Sequence, residues 1–305
     1  MDQKFEMQLQ QILAEGQIRY QEPLKAHTTF RIGGPAKYFV MPATPEEVAA
    51  IVALCNKEKM PMYALGNGSN ILASDEGYAG LILQIGEQMS HFSVLEQTAE
   101  TSLVEVGAGL LLSKFAKELA DLDLAGMAFA GGIPGTVGGA VVMNAGAYGG
   151  EIKDCIVDVT VVWPDGKISV LTKAELALGY RTSALQTNGA IVVSARFLLQ
   201  AGKKEEILNE MRQYNQQRRD KQPLEYPSAG STFKRPEGHF AGKLIQDAGL
   251  KGFRIGDMMV SEKHSGFVVN VGEGTAKDAH ALLEAVSQKV WEEFQVKLEP
   301  EVKFL

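Results

Sequence analysis

The chain has 305 residues, of which 45% are hydrophobic, 2 cysteines, and a net charge of -7 at pH 7. That length supports roughly two domains with ample core, and the acidic balance leaves no basic field for nucleic acid or an anionic membrane. The polar start at Met1, the lack of a long apolar run, and a spacing of Cys55 and Cys155 that fits neither a metal site nor a redox pair argue against a secreted or membrane-spanning reading and against a cysteine-ligated metal. We therefore expect a cytoplasmic protein that holds any anionic ligand by local groups.

Residues 3 to 20 carry Phe5, Met7, Leu9, Ile12 and Leu13 at imperfect helical spacing, which suggests an N-terminal arm. The segment from His27 to Pro35, HTTFRIGGP, turns into a strand at Lys37-Tyr38-Phe39-Val40. Thr44-Pro45-Glu46-Glu47 has the order of a capping box with proline at the first helical position, so a helix is predicted to about Glu58, with Cys55 as a buried thiol. Pro61 to Leu65 reads as a short buried strand. It stops at Gly66-Asn67-Gly68-Ser69-Asn70, which is either a tight turn or a phosphate cradle. The P-loop pattern is missing there, and the dinucleotide fingerprint is incomplete because position 71 is Ile71.

Strands are expected from Gly80 to Ile85 and from Ser102 to Gly107, and an amphipathic helix from Ser113, as its cap, to Leu124. The stretch Ala130 to Gly150, AGGIPGTVGGAVVMNAGAYGG, is rich in glycine, yet its apolar run Ala140 to Met143 argues against a flexible linker. Pro134-Gly135 sets a turn, and successive amides in such turns form an anion-binding nest. Crowding by neighbouring elements explains the glycines equally well. A hairpin follows, Ile156 to Val162 and Ile168 to Leu171 around Pro164-Asp165-Gly166-Lys167. Gly179-Tyr180-Arg181-Thr182-Ser183 is then a polar island before the strand Ala190 to Leu199.

From Lys203 the composition becomes charged, with a helix from Glu205 to about Lys221 that places Ile207, Leu208, Met211 and Tyr214 on one face. A helix from Ala241 closes near Gly249, and a strand pair at Met258 to Val260 and Phe267 to Val271 is joined through Glu262-Lys263-His264-Ser265. Thr275 to Phe294 is helical, with Ala279, Leu282, Leu283, Val286 and Val290 inward, and Glu301 falls within a terminal strand. No repeat of roughly 20 to 50 residues recurs, which argues against a solenoid or propeller.

Leu65 to Asn70 (LGNGSN), Ile133 to Ala140 (IPGTVGGA) with Asn144 to Tyr148 (NAGAY), Gly179 to Ser183 (GYRTS), Ala229 to Lys234 (AGSTFK) and Leu298 to Val302 (LEPEV) occur together and in this order. In this the chain resembles, over nearly its whole length, the UDP-N-acetylenolpyruvoylglucosamine reductase (MurB) family. The resemblance implies an α+β fold: an N-terminal arm at 1–29, a two-lobed FAD-binding domain of the vanillyl-alcohol-oxidase (PCMH) type at 30–200, and a smaller α/β substrate-binding domain at 201–305 with a C-terminal catalytic strand. The interval between Arg181 and Ser231 is short and largely charged helix, so the tyrosine-bearing loop of longer members is missing. The likeness is to the shorter, type II branch.

By the same resemblance, noncovalent FAD is held by Gly66, Asn67, Gly68, Ser69 and Asn70 together with Ile133, Pro134, Gly135, Thr136, Gly138, Gly139, Asn144, Gly146 and Ala147. NADPH is the reductant and a UDP-sugar the substrate of a monomeric enzyme. Arg181, Ser231 and Glu301 take the three catalytic positions, while Tyr180, Lys234, Arg235, His264 and Asn270 fall at substrate positions. The chemistry suits those residue types. Adding hydride to the enolpyruvyl methylene leaves charge on the α-carbon and its carboxylate, which needs a cation or acid nearby and then a proton. Two rivals remain: a flavin oxidase of the same fold, and a catalytically inactive UDP-sugar-binding homologue.

Overall fold

The computed structural model describes residues 2–305. Its contacts divide into two compact units, neither of which is one continuous segment. One holds the chain up to Tyr20 with Tyr38–Asn67 and Gly80–Gln216; the other holds Gln21–Lys37, Gly68–Ala79 and Gln217–Leu305.

In the first unit the N-terminal helix is shorter than the apolar spacing suggests, spanning Asp2–Ile12 and giving way to a strand at Ile18–Pro23. Gln17 ends it: its backbone N–H donates to Ala14 O, and its Oε1 accepts from Ala14 N at 2.6 Å. Phe5, Leu9 and Leu13 are buried in the unit's core. The helix Pro45–Glu58 starts as expected, with Thr44 Oγ1 accepting from Glu47 N at 3.1 Å, a cap that stabilises a helix by about 1 kcal/mol. Met62–Leu65 pairs in parallel with Tyr78–Gln84, Met62 opposite Leu81. It is the last strand of its sheet and leaves Ala64 exposed, so the expectation of a buried strand is corrected.

The larger sheet runs in the order 168–172, 156–162, 191–201, 101–107, 92–97, antiparallel throughout. Its hairpin is the one anticipated around Pro164 to Lys167, with Val162 opposite Ile168. The strand Phe92–Gln97 lay outside the expected elements, since its mostly exposed side chains give no clear alternation. The next helix is Leu112–Asp121, and Ser113 is not its cap. Leu111 holds that place without a side-chain bond, and Leu112 N–H, one of the first-turn donors with no acceptor inside the helix, donates to Gly135 O of the glycine-rich stretch at 2.9 Å. Within that stretch Val137–Val142 is a short helix capped by Thr136. Cys55 and Cys155 are both buried thiols, pushed up to about 12 by burial.

In the second unit a three-stranded antiparallel sheet, 254–255, 258–260 and 268–270, packs with the helices Ala241–Asp247 and Ala276–Phe294. The long helix is capped by Thr275 in a reciprocal box with Asp278, and buries Ala279, Leu282, Leu283, Val286 and Val290. Its core also takes Phe30, Ile32 and Leu72 from the two short segments early in the chain. The C-terminal strand is Lys303–Phe304, parallel to Ile71–Leu72, and Pro300 bridges Phe233. Glu301 therefore lies between a bridge and a strand, and not inside a strand as its sequence suggested.

Candidate active site

Inside the first unit the start of the stretch Gly66 to Asn70 meets the longer glycine-rich stretch. Asn67 Nδ2 donates to Pro134 O, and a Cβ on Gly66 would stand 2.5 Å from Thr136 Oγ1. The polar island joins them. Gly179 and Thr182 exchange backbone hydrogen bonds of 3.1 and 3.3 Å, which puts Tyr180 and Arg181 at the tip of a tight turn. Ser183 Oγ and Gln186 Nε2 both donate to Val142 O, and Gln186 Nε2 also donates to Arg181 O. Arg181 Nη2 donates to Gly146 O at 3.0 Å, and its guanidinium lies 5.5 Å from the centre of the exposed Tyr180 ring. The arginine has φ +53, a conformation that costs a non-glycine residue about 1–3 kcal/mol and is commonly retained at functional positions.

Asn144, expected to touch the cofactor, is fully buried. Its Nδ2 donates to Glu151 Oε2 and Gly179 O, both at 2.9 Å, and its Oδ1 accepts from Lys153 N. Its side chain thus supports the Arg181 turn from inside the protein. Gln186 does the same and was not anticipated; a lone glutamine in a four-residue helix carries no periodic or motif signal.

In the second unit Thr232 is the knot. It is 1% exposed; its N–H donates to Gly266 O, its Oγ1 accepts from Val268 N, and its carbonyl accepts from Glu301 N. The exposed Ser231 precedes it, so the serine and Glu301 are set on adjoining strands of backbone. Asn70 Nδ2 donates to Glu301 O at 3.1 Å, which brings the end of the glycine turn to the same place. Lys234 pairs with Glu299 and holds that carboxyl below its usual range. Arg235 is exposed, its guanidinium 4.0 Å from the centre of the Phe240 ring.

His264 Nδ1 accepts from Gly266 N at 3.1 Å, and burial followed by the nearby Lys251 charge lowers its pKa. It is a neutral imidazole near pH 7 with its proton on Nε2. Asn270 is buried, with Nδ2 donating to Phe30 O and Oδ1 accepting from Gly272 N and Gly274 N. Like Asn144, it is bonded inward. Among the described residues no cluster of His, Cys, Asp or Glu could hold a metal ion.

Whether these segments suit FAD turns on their backbone. Among the described residues no protein acceptor faces the amides of Asn67, Gly68 and Ser69, and Gly68 is buried; donors so placed suit a pyrophosphate. Gly68 is required by the protein itself, since it has φ +60 and a Cβ there would lie 2.0 Å from His27 O. Gly139 is different. It is exposed on the helix Val137–Val142, and a Cβ would meet only Thr136 Oγ1, at an ordinary 3.5 Å. Gly139→Val is therefore expected to fold, with a helix-propensity effect under about 1 kcal/mol, yet to lose bound flavin because close approach of a ligand to the backbone is blocked. The flavin-to-protein absorbance ratio of the purified variant checks this, and full occupancy would remove Gly139 from the cofactor site.

Residues 36–172 match the family model of an FAD binding domain, and residues 222–305 match that of the UDP-N-acetylenolpyruvoylglucosamine reductase C-terminal domain. The chain is 52% identical to the UDP-N-acetylenolpyruvoylglucosamine reductase of Lachnoclostridium phytofermentans, across 98% of this chain and 96% of that one. It is 48% identical to the reductase of Agathobacter rectalis, across 100% and 99%. The crystal structure of the Thermus caldophilus reductase superposes with a TM-score of 0.79 at 38% identity, over 94% of this chain and 97% of that one. Phl p 4, a grass pollen allergen with glucose dehydrogenase activity, matches 65% of this chain and 44% of its own at TM-score 0.51 and 14% identity, a likeness of fold alone. The architecture is thus the expected α+β one, an FAD-binding domain of the vanillyl-alcohol-oxidase (PCMH) type followed by a smaller C-terminal domain. Since about half the residues are shared with such a reductase along almost the full length of both proteins, the chain belongs to the UDP-N-acetylenolpyruvoylglucosamine reductase family.

Proposed function

We propose that this chain is an FAD-dependent oxidoreductase that uses NADPH to reduce the enolpyruvyl ether of UDP-N-acetylglucosamine to UDP-N-acetylmuramate, a step of peptidoglycan precursor synthesis. Beyond family membership, one local feature carries the reading: an arginine held at φ +53 on the tip of a turn, with its guanidinium fixed by Gly146 O. Bound FAD supplies the hydride that this reduction needs. The amides of Gly66 to Asn70 and the segment Ile133 to Gly139, with Gly146 and Ala147, hold the cofactor by close backbone approach. Asn144 serves that site by bracing the loop that carries Gly146 and Ala147, through Glu151 Oε2 and Lys153 N.

Arg181 pairs with the substrate carboxylate, onto which charge spreads as the α-carbon becomes electron-rich. Glu301 assists the same developing enolate. Ser231 donates the proton of its Oγ to the α-carbon; a hydroxyl is a weak acid in water, but a carbanionic carbon is basic enough to take its proton. Lys234 and Arg235 meet the diphosphate, the lysine as a point charge and the arginine as a two-pronged donor. Tyr180 and the neutral His264 complete the substrate contacts, and Asn270 holds the backbone behind them. We read the enzyme as a cytoplasmic monomer with no nucleic-acid partner; two buried thiols suit a reducing compartment, and no helix among the described residues is long and apolar enough to cross a membrane.

The deciding experiment is optical. The protein is expected to purify yellow, to bleach anaerobically with NADPH, and to regain colour on adding the enolpyruvyl UDP-sugar. Recolouring by oxygen but not by that sugar would favour a flavin oxidase, and binding of the sugar without any recolouring would favour an inactive homologue. Arg181→Lys refines the test. It keeps the charge and the same strained φ but loses bidentate geometry, so sugar reduction is expected to fall by about 10- to 100-fold, as for loss of a hydrogen bond to a charged group. NADPH oxidation in the first half-reaction should stay near wild type. Equal damage to both half-reactions would give Arg181 another role.

A further inference from the structure

Ser231 follows Gly230, which has φ +76 and no atom within 4 Å of where a Cβ would lie. Downstream, its backbone is held through Thr232, as described. Upstream, the loop is tied at Pro227 O, which accepts from Asn270 N at 2.9 Å, and at Ser228 O, which accepts from Thr29 Oγ1 at 2.7 Å. The first tie is backbone to backbone and does not depend on the Thr29 side chain. The second depends on one hydroxyl from a residue 199 positions away in sequence.

Thr29 is half-buried, and its own N–H donates to Gly68 O at 3.2 Å. A single threonine thus links the glycine turn to the serine loop. Between Ser228 and Ser231 lie only Ala229 and Gly230, and a glycine at positive φ gives the backbone wide freedom. Ala229 is buried in the core of the unit, so on loss of the tie at Ser228 the slack falls on Gly230, next to the serine.

We propose that Thr29 is a positioning residue for Ser231, its hydroxyl fixing the Ser228 carbonyl so that the Ser231 Oγ stands where it can donate its proton. The inference rests on Ser231 being the proton donor. A reacting group displaced by about 1 Å can lose about 10²-fold in rate, so a partial release of the loop is measurable.

The test compares Thr29→Val, Thr29→Ser and Ser231→Ala as FAD-loaded enzymes. Valine keeps the shape and the backbone bond to Gly68 but cannot donate to Ser228. It is expected to slow single-turnover reduction of the enolpyruvyl UDP-sugar by about tenfold or more, to leave NADPH oxidation in the first half-reaction within about twofold, and to raise deuterium uptake at residues 228–231. Serine restores all three. A merely structural threonine would lower the thermal midpoint and slow both half-reactions alike, which overturns the proposal. If Thr29→Val reduces the sugar at the normal rate while Ser231→Ala stalls, positioning by Thr29 is overturned and the serine keeps its role. If Ser231→Ala also turns over normally, both readings fall. Should valine prevent folding, Thr29→Ala and the exchange measurement carry the same comparison.

Discussion

Ser231→Ala should load flavin and oxidise NADPH normally, yet slow reduction of the enolpyruvyl sugar by about 10²- to 10⁴-fold, the range for loss of a positioned general acid. The structure isolates the hydroxyl from the fold. Ser231 is exposed, so alanine opens no buried cavity, and the neighbouring backbone stays fixed through the three hydrogen bonds of Thr232. Ser231→Cys should retain more activity than alanine, because a thiol is also an acid and fills nearly the same space. The simpler alternative is a turn residue after Gly230, for which alanine costs about 1 kcal/mol of stability and little rate. Single-turnover reoxidation by substrate separates the two, and a wild-type rate in Ser231→Ala would falsify proton delivery by this serine.

Glu301→Gln is expected to lower sugar reduction by about 10²-fold or more, near 2.7 kcal/mol of transition-state stabilisation. Glutamine matches the shape of glutamate, and the main chain on which it sits is pinned from both sides: Glu301 N donates to Thr232 O at 2.8 Å, and Glu301 O accepts from Asn70 Nδ2 at 3.1 Å. A fall in rate without loss of thermal stability therefore reports the carboxyl group and not the position of the backbone. A variant within about twofold of wild type, less than half a kcal/mol by the same arithmetic, would make Glu301 an ordinary residue between a bridge and a strand.

Much of the architecture was legible where the deciding partners are neighbours in sequence. Thr44 with Glu47 and Thr275 with Asp278 cap their helices over three residues, Pro164 to Lys167 closes its hairpin between adjacent strands, and the buried face of Ala276–Phe294 follows from helical spacing. The candidate site residues Arg181, Ser231 and Glu301 rest on family likeness alone, since a lone arginine, serine and glutamate carry no pattern of their own. What tertiary structure decided lies in partners far along the chain. The helix predicted to begin at Ser113 begins at Leu112, whose N–H finds its acceptor in Gly135 O, 23 positions along the chain. The side chains of Asn144 and Asn270 turn inward because Gly179 O and Phe30 O stand where those amides can donate. Thr29 reaches Ser228 across 199 residues. A hydrogen bond is set by direction and a few tenths of an ångström, and the sequence by itself determines which residues can donate or accept but not which of them the folded chain brings within that reach.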